Sequence, residues 1–489
     1  MRRPGLLLAA GSSALVVLVL LVAPRPVWSV PGLDADVRPD QLQPLGWPAA
    51  IIQLAVVAGL VWPFRPYLAV LRRLAAERVS TRLLLGLTGL LALASVLIFP
   101  GFSSDLFAYA KVERLWVVYG DNPLVTPVSA HPDDWAGTWL NPHETRAQPY
   151  GPLWSVLTWP IVRLAGESVA GLLVGYKLLA ALGYVACCLL IWASVAPARR
   201  QRALVLFAWS PLVLFTVLGK VHNDVLLALA LLAMVCCRRR AHPALGLAAV
   251  VLGSLVKATG LAAAPALVLA DWRRGGWRAL VVTLAVGLAV LVAGYAPFWV
   301  GQATLLSIWQ QTQQPVWSPA SLLLVLTAWL PGGPYELAVR AALGLICAVG
   351  TVWLLGRRRD ACAPEQVAGT SGWLLLLGLL CLTSAVYAHY LVPVVALAAV
   401  ADDVRLERTV QWLSIGGLAV YALDLLGLAL WPMWLASVGY RVVGSLVLLG
   451  SAGLALRPPP PAGQADADAS QQDEAASLDE RRALQATGQ

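Results

Sequence analysis

The stretch ALVLFAWSPLVLFTVLGKVHNDVLLALALLAMVCCRRR, residues 203–240, decides the fold. Two apolar runs, 203–220 and 223–237, meet at the polar step Lys220–Asp224 and end on three arginines. Neither run alternates polar with apolar residues, as a strand of a membrane barrel would. Both are continuously apolar. Such segments cross a bilayer as helices, because hydrocarbon offers the backbone no hydrogen-bond partner.

The same pattern fills the chain. Of 489 residues, 59% are hydrophobic and 12% charged, whereas a soluble domain carries about 25% charge. Trp is abundant, at 21 against seven Phe, and Trp favours membrane interfaces, where its ring is apolar and its N–H stays wet. The seven cysteines show no metal-ligand spacing and read as small core hydrophobes. The fold class expected is therefore all-α and polytopic, with about 12–14 transmembrane helices.

Lys and Arg mark cytoplasmic loops. The clusters are Arg2-Arg3, Arg65 to Arg82, Arg199 to Arg202, Arg238 to Arg240, Arg273 to Arg278, Arg357 to Arg359, and Arg405 with Arg408. Threading apolar runs between them places spans near 5–24, 46–64, 83–100, 170–196, 203–220, 223–237, 243–257, 258–270, 279–299, 335–356, 373–388, 389–401, 411–430 and 434–456. Both termini then lie in the cytoplasm. The first span reads as a retained anchor, since no small-x-small cleavage site follows Val22. Segments 152–164 and 318–330 do not fit the alternation and read as interfacial or re-entrant. The domain division is a membrane body, 1–457, and a disordered cytoplasmic tail, 458–489, proline-rich and then acidic. The net charge of +9 reflects topology and anionic headgroups rather than nucleic acid.

On this path one face, taken as extracytoplasmic, receives the long loop 101–151, the turn Lys220–Asp224, the turn near Lys257, the loop 300–318 and the turn near His389. In the long loop, Asp105, Tyr109 and Glu113 recur at helical spacing. Asp105 reads either as a general base or as a favourable first-turn helix charge. Asp133-Asp134 is a second acidic site or a solvated loop, and Pro149-Tyr150-Gly151-Pro152 re-aims the chain.

A carboxylate shortly after an early span, a GDNP turn at 120–123 and PYGPLW at 149–154 resemble the GT-C superfamily of membrane glycosyltransferases. More narrowly, the chain resembles the actinobacterial polyprenyl-phosphomannose-dependent α-1,6-mannosyltransferases. GKVHNDVLLALALLAM, GLAAVVLGSLVKATGLAAAPALVLA and YAHYLVPVVALAAV are similar to segments of that family, in the same order. The resemblance implies transfer of a sugar from a polyprenyl-phosphate donor to the hydroxyl of a glycan or glycolipid acceptor at the cell membrane, with no cofactor.

Roles follow from that chemistry. Asp105 is the base. Lys257, His222 and His389 face the phosphate, with Lys220 and Arg146 behind them. Asp224 joins the binding set, and Tyr109 and Tyr150 stack on sugar. Each has a plainer alternative: Lys257 snorkels, Asn223 and Asp224 serve the start of a helix, His389 is a satisfied interface histidine, and the tyrosines anchor at the interface. Superfamily members often pair acidic residues in the first loop. Here Ser104 precedes Asp105 and Asp121 stands sixteen positions on, so no metal site is expected. The competing function is a transporter or flippase, which would gather its polar groups at the bilayer midplane.

Overall fold

The computed structural model describes residues 46–98, 105–136, 147–312, 316–328, 335–357, 362–430 and 433–456. The first expected span and the tail lie outside these residues. Within them the named elements are all helical, and the protein is an all-α polytopic membrane protein. The helices are α1 Gly46–Val61, α2 Phe64–Ala76, α3 Thr81–Val96, α4 Asp105–Val117, α5 Pro152–Ala165 and α6 Val169–Ser194. Next come α7 Arg200–Ala208, α8 Asp224–Arg239, α9 Pro243–Ser254, α10 Ala264–Tyr295, α11 Ala303–Thr312 and α12 Pro319–Thr327. The last are α13 Tyr335–Arg357, α14 Pro364–Leu382, α15 Val392–Val400, α16 Val404–Leu430 and α17 Met433–Leu456.

Helix α6 shows how the body faces lipid. Ser168 caps it, its Oγ accepting from the Gly171 N–H. Its outward residues Val174, Leu178, Leu182 and Leu189 are exposed and apolar, while Leu172, Tyr176, Ala180, Cys187 and Ile191 are buried. An apolar outer face is what hydrocarbon selects and water rejects. Among the described residues, five helices are long and apolar enough to span, and a sixth span is counted if the bent pair of α7 and Pro211–Gly219 is one. Thr81–Val96, Pro243–Ser254, Ala388–Val400 and Arg441–Ala455 are shorter apolar helices.

Several expected spans are interrupted, each for a local reason. The run 203–220 bends by 42° between α7 and Pro211–Gly219, where Pro211 has no N–H for the preceding turn. The runs 258–270 and 279–299 join without a loop through Gly276, whose φ of 63° suits glycine. Helix α14 stops at Leu382, short of the expected 388. The chain beyond it is extended and pairs with the segment before α12: Val316 N donates to Ser384 O at 2.8 Å, and Val386 N to Trp317 O at 3.0 Å. This unwound piece delivers His389 to the centre of the molecule.

Helix α8 occupies that centre, packed on α6, α9, α14 and α15. It approaches α9 closely, since a Cβ on Gly253 would lie 2.7 Å from the Ala230 side chain. At its far end Arg238 pairs with Asp271 at 2.7 Å, and both side chains are sealed. Thr283 Oγ1 donates to the other carboxylate oxygen at 3.0 Å. Arg238 therefore ties α8 to both halves of α10 instead of lying in a solvated loop. Removing one partner of a buried pair leaves an uncompensated charge and costs about 3–5 kcal/mol. We expect Asp271→Ala to lose stability on that scale, read as a lower unfolding midpoint in detergent. An unchanged midpoint would mean that Arg238 finds another anion.

Candidate active site

The long loop is a folded unit. Arg114 Nε donates to both oxygens of Asp134, at 2.9 and 3.1 Å, and its Nη2 to Glu167 at 3.0 Å. Lys111 Nζ donates to His131 O at 2.7 Å, and Tyr119 OH to Asp134 at 2.9 Å. Burial raises the Asp134 carboxyl, but hydrogen bonds from Arg114, the Ala136 N–H and Tyr119 outweigh it and hold the group below its ordinary value. Asp133 is exposed, so the Asp133-Asp134 pair is one structural carboxylate and one solvated one. Asn122 Nδ2 donates to Phe298 O at 2.8 Å, fastening the GDNP turn to the chain just beyond α10.

The PYGPLW segment then docks on the break between α9 and α10. Gly151 N donates to Val256 O at 3.2 Å and Leu153 N to Leu255 O at 3.0 Å. A Cβ on Gly151 would stand 2.3 Å from Leu255 O, so the approach admits no side chain. The two residues docked upon lie just before Lys257. Tyr150 also packs edge-on against Tyr109, centroids 5.4 Å apart, and Tyr109 against Trp154 at 4.9 Å. Tyr109 is buried and Tyr150 half-buried. The two tyrosines form a wall beside the polar groups.

Those polar groups come from four places in the chain. Asp105 begins α4, and its Oδ2 lies 2.9 Å from Nδ1 of His222. The His222 ring stacks on His389, centroids 3.6 Å apart and planes within 9°, and the Tyr387 ring is near-parallel to His389 at 5.5 Å. Asp224, the first residue of α8, receives Lys257 Nζ on both oxygens at 2.8 and 2.9 Å. Lys257 Nζ sits 3.7 Å above the centre of the Tyr390 ring, and His389 Nε2 is 3.9 Å from Asp224. Lys257 is 7% exposed, so it is held internally and does not snorkel. Asn223 occupies the cap position of α8 without a side-chain cap bond. Its amide atoms, and Nδ1 of His389, are buried without a hydrogen-bond partner among the described residues. Such groups are costly unless something completes them.

The structure thus brings Asp105, His222, Asp224, Lys257 and His389 together, with Tyr109 and Tyr150 alongside. Lys220 is fully buried against Phe215, on the π-helical turn before His222. Arg146 lies outside the described residues. Tyr390 was not singled out from the sequence, although its place directly after His389 in YAHY is a signal.

Asp105, His222 and His389 each offer a ligand atom, and these lie within 4.8 Å of one another. Proximity alone would admit a metal ion. The rings, however, are stacked near-parallel with centroids 3.6 Å apart, so their in-plane lone pairs do not converge on an ion at a bond length of about 2.1 Å. One ring would have to turn. As built, the trio suits proton handling better than coordination.

Carboxylate, imidazole and ammonium groups thus gather at helix ends in the all-helical body of a polytopic membrane protein. Residues 9–273 match the family described as alpha-(1->6)-mannopyranosyltransferase, N-terminal domain, and the chain belongs to that family. It is a mannose-transferring glycosyltransferase, whose partners are a sugar donor, a glycan acceptor and the lipid bilayer. The matched segment holds Asp105, His222, Asp224 and Lys257 and stops short of His389. No curated protein matches the chain significantly.

One further carboxyl lies on α4 below the site. Glu113 is 1% exposed and accepts from Thr158 Oγ1 at 3.1 Å. Burial pushes its carboxyl up to about 8, against the opposing pull of hydrogen bonds from Ser155 and Thr158. The folded protein therefore keeps this proton while the unfolded chain releases it near the ordinary value of 4.5. Between those values the unfolded state binds fewer protons, so this contribution to stability, complete at low pH, is lost as pH rises towards 8. We expect Glu113→Gln to flatten the decline of the unfolding midpoint over this window. Parallel profiles for variant and wild type would show that Glu113 is already ionised in the fold.

Proposed function

We propose that this enzyme takes mannose from a polyprenyl-phosphate donor and transfers it to a glycan or glycolipid hydroxyl on the extracytoplasmic face of the cell membrane, with Asp105 as general base. The observation that carries this reading is the contrast in exposure around one carboxylate. The Asp105 side chain is 34% exposed, while its neighbour His222 is 2% exposed and the Asp224 side chain 1%. Asp105 alone of these three faces an incoming acceptor while touching the buried polar cluster.

The chemistry needs one base and one anion-holding group. An Asp105 oxygen takes the proton of the acceptor hydroxyl as that oxygen attacks the anomeric carbon. The bond from that carbon to the phosphate oxygen breaks, and the phosphate keeps the electron pair. His222 orients the carboxylate and receives part of the proton's charge. Lys257 faces the leaving phosphate, with His389 beside it and Lys220 and Arg146 as further cations. Tyr109 and Tyr150 flank the sugar.

Depth supports a lipid-linked donor. Helix α8 has 16 residues and α9 has 12, or about 24 and 18 Å at 1.5 Å per residue. Measured from the arginines at 238–240, taken as cytoplasmic, His222–Asp224 and Lys257 fall short of the far side of a hydrocarbon core about 30 Å thick. A phosphate at the head of a prenyl chain reaches such a recess from within the bilayer. Polar groups at helix breaks within the bilayer suit a carrier as well, and what favours the enzyme is the mannosyltransferase family match together with the exposed carboxylate.

Two measurements test this reading. Asp105→Asn should lower turnover by about 10²–10⁴, the usual weight of a general base, with donor affinity little changed. Near-normal turnover by the folded variant would remove Asp105 from the mechanism. For topology, a cysteine replacing the exposed Asp133 in a cysteine-free background should react with an impermeant maleimide in intact cells, and one replacing Gln489 should require permeabilisation. The reverse pattern would invert the orientation.

A further inference from the structure

Lys177 projects from α6 and donates three hydrogen bonds, to Leu218 O at 2.7 Å, Gly219 O at 2.8 Å and Ile98 O at 2.7 Å. An ammonium has three donors, so its capacity is filled by carbonyls and none is left for a substrate phosphate. Leu218 and Gly219 end the π-helix Leu214–Gly219, and Ile98 follows α3. The bond thus joins three segments at one point.

The backbone just beyond that point is unusual. Lys220 N donates to Phe215 O at 2.9 Å, Val221 N to Val217 O at 3.0 Å and His222 N to Thr216 O at 3.1 Å. This widened turn forces Val221 to a φ of 67°. Left-handed backbone is strongly disfavoured for a β-branched residue. Val221 is buried at 3% exposure and directly precedes His222. A π-turn and a strained residue beside a functional side chain persist only where surrounding bonds over-determine them. Here the bonds that do so include those from Lys177.

We infer that Lys177 is a positioning residue: its ammonium clamps the end of the π-helix, holds Val221 left-handed, and so keeps His222 against Asp105. The inference rests on the reading of Asp105 and His222 as the reacting pair. It also separates the lysines by task, with Lys177 serving the backbone and Lys257 the site.

A double-substitution cycle on the full-length protein in nanodiscs tests it, reading kcat, the donor KM and the unfolding midpoint. Val221→Gly relieves the strain without altering the turn, because glycine accepts positive φ. Strain relief and the loss of a buried side chain act in opposite directions on its midpoint, and it should keep kcat. Lys177→Met should lower kcat by about 10²-fold, the effect of a small misplacement, with the donor KM nearly unchanged. In the Val221→Gly background the same change should cost much less in both kcat and midpoint. An equal cost in both backgrounds, or normal kcat for a folded Lys177→Met, overturns the proposal. If Lys177→Met does not fold alone, recovery of folded protein in the Val221→Gly background carries the proposal, and failure in both overturns it. If the wild type transfers no mannose but the midpoints still couple, the functional reading fails and the clamp stands.

Discussion

The buried pair between Lys257 and Asp224 is the constraint from which the centre of the molecule follows. Neither charge tolerates an apolar body alone, and together they are costly to separate. Their contact at 2.8 Å fixes the start of α8 against the break between α9 and α10. With Lys257 fixed there, Tyr390 is held under its ammonium, and His389 is brought within 3.9 Å of Asp224 and onto the His222 ring. Gly151 completes the arrangement from the other direction, because its bare Cα lets the PYGPLW segment hydrogen-bond to the same break.

Much of this was legible in the sequence. Continuous apolar runs punctuated by arginines gave an all-helical membrane body. Asp105, His222, Asp224, Lys257 and His389 stood out because each interrupts or borders an apolar run, and the fold brings them together. What sequence did not reveal was who pairs with whom. Lys257 and Asp224 are 33 positions apart, and no helical spacing links them, so a snorkelling lysine and a free one looked alike. The run 203–220 read as one span, so the bend at Pro211 was not anticipated, and the π-turn that follows has no residue signature. Asp134 looked like an acidic site because its partner, Arg114, belongs to a helix twenty residues earlier.

The interruptions share a purpose that propensity alone does not explain. An unbroken helix would carry its polar residues through the bilayer on one face. Here α8 begins, α9 ends and α14 stops around one small volume. The backbone groups freed by those breaks are satisfied locally: by Lys177 at the π-turn, by Gly151 and Leu153 at the α9 end, and by the pairing of Val316 with Ser384 beyond α14. Irregular backbone at membrane depth is tolerated only where protein or a water-filled cavity covers it.

An internally paired lysine also suits the proposed reaction better than a free one. Asp224 holds Lys257 Nζ in place inside an apolar body, so it needs no reorganisation when the proposed donor arrives. A phosphodiester carries one negative charge and the departing monoester gains another as the glycosidic bond breaks. Any cation attracts the developing dianion more than the diester, and Asp224 weakens both attractions; what the pair adds is a cation already in place when the charge develops. The Tyr390 ring beneath the ammonium acts in the same sense, as a fixed partner that shares the charge without competing for the phosphate.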